Sequence, residues 1–264
     1  MRKLVGVVAA VVAALAFASA GRAITWGQRD GNVHPNVGAM MAFWDPSTPN
    51  TLQELCTGTL IEPRLFLTAA HCTDFLLHDL GITDVWVTFS PDSAQGPYVH
   101  GVMHQSPLFP GPGSNPHDIA VIVLDTPVRA ALATLPPIGL LDRMKDDKTL
   151  NQSTSFTAVG YGDGSRVHSP GSGSHRFYFD GFRWVATSFF NSLSASWLRL
   201  TQNNSVGAGG TCFGDSGGPD FLGTSNVIAA TTISGDNTCV STNVDYRMDT
   251  AEAQGFLRGF GWRP

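Results

Sequence analysis

Thr211-Cys-Phe-Gly-Asp-Ser-Gly-Gly-Pro-Asp220 is the stretch from which the rest of the chain can be read. Within it, Ser216 stands between Asp215 and the pair Gly217-Gly218. A serine in that setting suits a tight turn better than a core, because glycine adopts backbone angles that other residues resist. Such a turn presents the hydroxyl to a cleft and gathers backbone N–H groups around one point. A lone serine hydroxyl is a weak nucleophile, so the motif calls for a base elsewhere in the chain.

Leu67-Thr-Ala-Ala-His71-Cys72 supplies the candidate base, at the end of an apolar run, Arg64-Leu-Phe-Leu67, that reads as a strand. Asp118 supplies the third member. It opens Ile119-Ala-Val-Ile-Val-Leu124, a strand apolar on both faces, and is preceded by His117. Nucleophile, base and a carboxylate to orient the base are therefore all present, in the order His71, Asp118, Ser216.

The segments CTGTLIEPRLFLTAAHC (56–72), HDIAVIVL (117–124), VGYG (159–162) and TCFGDSGGP (211–219) together resemble the chymotrypsin/trypsin-family serine proteases, of a secreted bacterial type. The resemblance covers nearly everything after residue 23. It implies an all-β fold of two six-stranded antiparallel β-barrels with the active site between them and a short C-terminal helix. The first barrel is expected at about 24–127, a connector at about 128–146, the second barrel at about 147–248 and the helix at about 250–260. It further implies that Ser216 attacks a carbonyl, that His71 takes its proton, and that Asp118 holds the imidazole. The N–H groups of Gly214 and Ser216 would form the oxyanion hole, and Asp215 would pair with a new N-terminus at Ile24. The start Ile24-Thr-Trp-Gly27 matches the family's usual Ile-Val-Gly-Gly only in part. Cys56–Cys72 and Cys212–Cys239 are the implied disulfides.

The implied substrate pocket comprises Gly210, Thr211, Phe213, Ser234 and Gly235. An aspartate at the position of Gly210 selects Arg or Lys in the family; glycine carries no charge and points to an apolar or small side chain. An Arg/Lys-selective enzyme is the alternative, with Asp236 or Asp245 as the source of charge. A non-catalytic binding relative is a further alternative, against which stands the presence of all three triad residues.

Composition agrees with a strand-and-loop protein. Charged residues are only 14%, against 29 glycines and 16 prolines, a balance unlike that of a helical bundle. The net charge of −5 leaves no basic excess, which argues against nucleic acid or an anionic membrane as a partner. Protein or peptide substrates, no cofactor, no metal and a monomeric state are expected. Short β-like runs recur at Val37–Trp44, Thr59–Ala69, Val85–Phe89, Ile119–Leu124, Ser155–Val159, Trp197–Thr201 and Val227–Ser234, which by pattern alone means a sandwich or a barrel. Phe177–Trp184, with Asp180-Gly181 at its centre, reads as a hairpin. Gly162–Ser174 reads as a surface loop, and Thr250–Phe260 as a helix capped by Asp249 with Glu252 completing a capping box. His100 and His104 share a strand face and read as surface residues rather than a zinc pair.

Met1-Arg-Lys3, the apolar run Leu4–Ala20 and the small-x-small sites ending at Ala20 and Ala23 read as a signal peptide cleaved after one of these. The apolar run is shorter than the about 20 residues a membrane span needs. Secretion to an oxidising exterior suits four cysteines in two bridges.

Overall fold

Along the chain, the computed structural model gives β1 (Gln28–Arg29), β2 (Val37–Ala42), β3 (Gln53–Glu62), β4 (Leu65–Thr68), helix α1 (Ala70–Asp74), β5 (Val85–Thr88), β6 (Tyr98–Gln105), β7 (Ala120–Leu124), α2 (Leu140–Asp146) and β8 (Ser155–Gly160). After these come β9 (Val167–His168), β10 (His175–Arg176), β11 (Trp184–Leu193), β12 (Trp197–Thr201), β13 (Pro219–Leu222), β14 (Ile228–Gly235), β15 (Thr242–Arg247) and α3 (Ala251–Arg258). The structure describes residues 24–111, 117–162, 167–168, 175–176 and 179–264. No helix among them is long and apolar enough to cross a membrane. The expected 1–23 signal peptide and most of the expected 162–174 loop lie outside the described residues.

Six strands, β2-β3-β4-β7-β6-β5, close into the first antiparallel barrel. The second is β8-β11-β12-β15-β14-β13, closed because β8 pairs with both β11 and β13. β1 adds to β11 from outside.

Side chains alternate across a strand, so a strand buried on both faces feeds two cores. In β2, Met40 and Ala42 point into the first barrel while Val37, Ala39 and Met41 join a second cluster. Phe66 and Ile122 likewise fill the barrel, and their neighbours Leu67 and Val121 do not. That second cluster also holds Val159, Phe221 and Tyr246 of the second barrel and Leu257 of α3, and so joins the barrels to each other. Phe156, Leu198, Leu200 and Ala230 fill the second barrel. Each large apolar side chain removed from water contributes about 1.5–3 kcal/mol.

Polar groups also hold the barrels together. Arg183 is fully buried. Its guanidinium donates to Asp30 (2.8 Å), to the Val37, Phe89 and Gly31 carbonyls (2.9–3.1 Å), and to Tyr161 Oη and Asn32 (3.1 Å). A buried charge is tolerated only with partners of this kind. In the second barrel, Arg247 clamps Asp249 and Asp142, tying α2 to the end of β15.

Three local expectations need correction. Thr59–Ala69 is not one strand but a hairpin, β3 turning into β4, since Pro63 lacks the N–H that would continue a ladder. Phe177 and Tyr178 lie outside the described residues, and residues 179–183 form no hairpin arm. Asp180 Oδ1 accepts from the Phe182 N–H (3.0 Å) and Trp184 Nε1 (3.2 Å), and Phe182 bridges to Asp92 of the first barrel. Asp249 does not cap α3. Its carboxylate is held by Arg247 and the Leu141 N–H, and Thr250 Oγ1 caps instead, accepting from the Ala253 N–H at 3.1 Å.

Candidate active site

The nucleophile turn is shaped by two glycines and gripped from across the molecule. Gly214 has φ +92° and Gly217 has φ +80°, angles that strain any residue with a Cβ. A Cβ on Gly217 would also lie 2.6 Å from the Ala69 nitrogen and the Thr57 oxygen, so the turn presses directly on the strand end that carries His71. Thr57, fully buried on β3, holds this contact. Its N–H donates to the Ser216 carbonyl (2.9 Å), its hydroxyl donates to the Gly214 carbonyl (2.9 Å), and it also accepts from the Tyr161 N–H (3.1 Å).

The N–H groups in the turn fall into two sets. Asp215 donates to the Cys212 carbonyl (3.1 Å), Gly217 to Thr232 (2.7 Å) and Gly218 to Asp215 (2.8 Å). Among the described residues, the N–H groups of Gly214 and Ser216 have no acceptor. Two unspent donors thus flank Asp215, on the residues the sequence singled out for an oxyanion hole. Donors aimed in advance at a developing negative charge are the arrangement that stabilises one.

His71 lies in α1, directly after β4. Asp118 sits just before β7, the strand paired with β4, so strand pairing brings the two together. Asp118 is buried and binds His71 twice, through the backbone N–H (2.9 Å to Oδ1) and through Nδ1 (2.7 Å to Oδ2). With Nδ1 donating to the carboxylate, Nε2 is the nitrogen free to accept a proton. Ser216 and His71 both abut the Cys56–Cys72 disulfide. Cys72 Sγ is 3.9 Å from the Ser216 carbonyl oxygen, and a ring nitrogen of His71 lies within 4.8 Å of both sulfurs. No hydrogen bond joins the Ser216 hydroxyl to the imidazole among the described residues. Such contacts commonly tighten only with substrate in place. Cys56, His71 and Cys72 are the one His/Cys/carboxylate cluster close enough to hold a metal among the described residues, but both sulfurs are spent in the disulfide.

Asp215 is fully buried. Its Oδ1 accepts from the Gly162 N–H and its Oδ2 from the Cys212 N–H, both at 2.8 Å. Ile24 is also fully buried, packed with Trp184 and Ala186. The next residue, Thr25, exchanges backbone hydrogen bonds with Gly210 (2.9 and 3.0 Å), so the Ile24–Gly27 segment is laid against the predicted pocket floor. Cys212–Cys239 forms the second bridge and joins the nucleophile segment to the loop after β14.

Of the predicted pocket residues, Gly210 and Thr211 are buried, whereas Ser234 and Gly235 are exposed at the end of β14. Phe213 is 53% exposed, and the ring of Phe179 lies against Gly214. Neither aspartate proposed as a source of charge is free. Asp236 accepts from the N–H groups of Val240, Ser241 and Thr242 and from the Thr238 hydroxyl, stapling its own loop. Burial raises its pKa, and these hydrogen bonds outweigh that and hold it below the usual carboxylate range. Asp245 is fully buried inside the second barrel with Asp220, and Asn243 Nδ2 reaches both (2.6 and 3.5 Å). Burial, then the mutual repulsion of the pair, raises the pKa of Asp245; burial pushes Asp220 up to about 6.

Sequence reasoning missed Thr57 and Arg183. The signal for Thr57 was its place beside Cys56 in the His71 block. Arg183 stands alone in an aromatic run and gave none.

The fold is the two-barrel architecture of the chymotrypsin type, and known structures share it. Human heparin binding protein matches with a TM-score of 0.64 at 17% identity, covering 91% of this chain and 98% of its own. Neuropsin, a serine protease expressed in the limbic system of mouse brain, gives 0.64 at 18% identity, covering 90% and 100%. HL collagenase gives 0.65 at 18%, covering 91% and 100%. At such identities these matches establish the fold. The Trypsin family model matches residues 32–251, and the chain belongs to that family of serine proteases.

Proposed function

We propose that this chain is a secreted serine endopeptidase that cleaves peptide bonds through an acyl-enzyme. The observation that carries the reading is the doubly bonded Asp118–His71 pair facing a turn in which the Gly214 and Ser216 N–H groups have no acceptor among the described residues. Ser216 attacks the carbonyl carbon and passes its proton to His71 Nε2, while Asp118 stabilises the resulting imidazolium. The two free N–H groups receive the oxyanion. His71 then protonates the leaving amine, and water repeats the sequence to release the acid.

The pocket floor at Gly210 carries no charge, and Asp236 and Asp245 are engaged elsewhere, which favours an uncharged, apolar or small side chain before the scissile bond. Cleavage after Ala23 by signal peptidase, or trimming after a cut at Ala20, would free Ile24 to reach Asp215. The backbone pairing of Thr25 with Gly210 supports such docking. N-terminal sequencing of active secreted protein tests this step: a start at Gly21 in fully active enzyme refutes it. Ser216→Ala tests the chemistry. It should lower turnover by about 10⁴ or more, the magnitude this family's triad supplies, with an unchanged melting profile; retained turnover rejects Ser216 as nucleophile.

A further inference from the structure

Gly210 does not leave its side-chain position empty. A Cβ built there would lie 2.7 Å from the Cβ of Gln202, and the Gln202 side-chain oxygen is nearer still. Gln202 comes directly after β12, is fully buried, and fills the space that a longer residue at 210 would occupy. Its two amide atoms have different fates. Nε2 faces the Asp236 carboxylate at 3.4 Å, and that carboxylate is fixed in turn by the Ser241 and Thr242 N–H groups at 2.8 and 2.9 Å. An acceptor-only partner on Nε2 decides which way the amide is turned. Oε1 is therefore directed at Gly210, where no protein donor reaches it among the described residues. Thr211, the next residue, is also buried, and its hydroxyl makes no hydrogen bond among the described residues. A buried, orphaned carbonyl acceptor thus lies directly behind Gly210, and the next residue in the chain carries an uncommitted hydroxyl.

We propose that Gln202 is a specificity-determining residue, and that Gln202 Oε1 and the Thr211 hydroxyl together select a carboxamide side chain, glutamine or asparagine, before the scissile bond. The inference rests on the protease reading above; it keeps that reading's uncharged side chain and replaces its apolar or small preference with a polar one. A primary amide brings an N–H donor for Oε1 and a carbonyl for the Thr211 hydroxyl. A carboxylate brings only acceptors and faces Oε1 with like polarity. A methionine or leucine leaves Oε1 buried and unpaired, which is costly. A lysine would set a desolvated charge against a single neutral carbonyl.

The test is steady-state cleavage of otherwise identical peptides carrying Gln, Asn, Glu, Met, Leu or Lys at that position. The mature wild-type protein is compared with Gln202→Leu and Gln202→Glu. Wild-type kcat/KM for Gln should exceed that for Met, its near-isostere, by about 10–100-fold, as expected when a buried acceptor goes unpaired. Gln202→Leu should bring the Gln/Met ratio towards one, and Gln202→Glu should raise Lys relative to Gln. A wild-type Gln/Met ratio at or below one overturns the proposal whether or not either variant folds, as does a ratio that neither folded variant moves. Failure to cleave any peptide, together with no labelling of Ser216 by an active-site phosphonate, overturns the protease reading and this inference with it. Turnover without the Gln preference overturns this inference alone.

Discussion

Asp220→Asn should stabilise the protein in alkaline solution and leave it nearly unchanged in acid. Asp220 and Asp245 are fully buried inside the second barrel, on β13 and β15, with Thr232 Oγ1 donating to Asp220 (3.2 Å) and Asn243 Nδ2 lying 3.5 Å from it. Asp220 Oδ1 and Asp245 Oδ2 have no donor among the described residues, so the pair is short of a proton rather than of an acceptor. Burial moves Asp220 from the ordinary 3.8 up to about 6. A group whose folded pKa is raised contributes stability that is complete below its unfolded value and is lost as pH climbs through its folded value. The wild type therefore weakens between pH 3.8 and about 6. Two pKa units correspond to about 3 kcal/mol. An asparagine keeps an oxygen for Thr232 and offers an NH2 to the orphaned Asp245 oxygen, at no ionisation cost. The variant should gain about 1–3 kcal/mol at about pH 8, or several degrees in Tm for a domain of this size, and almost nothing at about pH 4. Thermal melts of both proteins across that range, on the inactive Ser216→Ala background to prevent self-digestion, read the difference directly. Equal destabilisation at both ends would refute the argument, because the carboxylate would then be a needed acceptor rather than a suppressed acid.

Arg183→Met should destabilise by about 3–5 kcal/mol in urea unfolding, since it leaves the Asp30 carboxylate buried without its guanidinium. A change under about 1 kcal/mol would show that the network is not needed. Thr57→Val removes the hydroxyl bonded to the Gly214 carbonyl, at a cost of about 1–3 kcal/mol to the alignment of the turn. It should lower kcat about tenfold or more with a smaller change in KM, and an effect confined to KM would count against that role.

The pieces legible in the sequence were those in which residue type alone carries the requirement. The pair Gly217-Gly218 announces a turn because glycine accepts angles other residues resist; of the two, Gly217 takes a positive φ, and Gly214 ahead of the serine does so as well. The four cysteines pair as the resemblance implied. What was hidden depends on partners distant in the chain. Arg183 takes its acceptors from residues 30–37, 89 and 161, so nothing near it in sequence marks it as buried. Gln202 borders Gly210 because the turn around residues 204–206 doubles the chain back on itself, which the residue types there do not announce. Asp180-Gly181 carried correct turn chemistry, with Gly181 at φ +72°, yet bonds to Pro91 and Asp92 of the first barrel outweighed hairpin formation. Thr250 beat Asp249 to the cap because Arg247 had already claimed the aspartate.

Reaction of the mature protein with an aryl phosphonate that mimics the tetrahedral intermediate, with peptide mapping of the product, bears most directly on the central assignment. One adduct is expected, on the hydroxyl of Ser216 within the peptide spanning 211–220, and it should disappear in His71→Ala. An unreacted Ser216 in correctly processed, folded protein, or an adduct on another residue, would contradict the account.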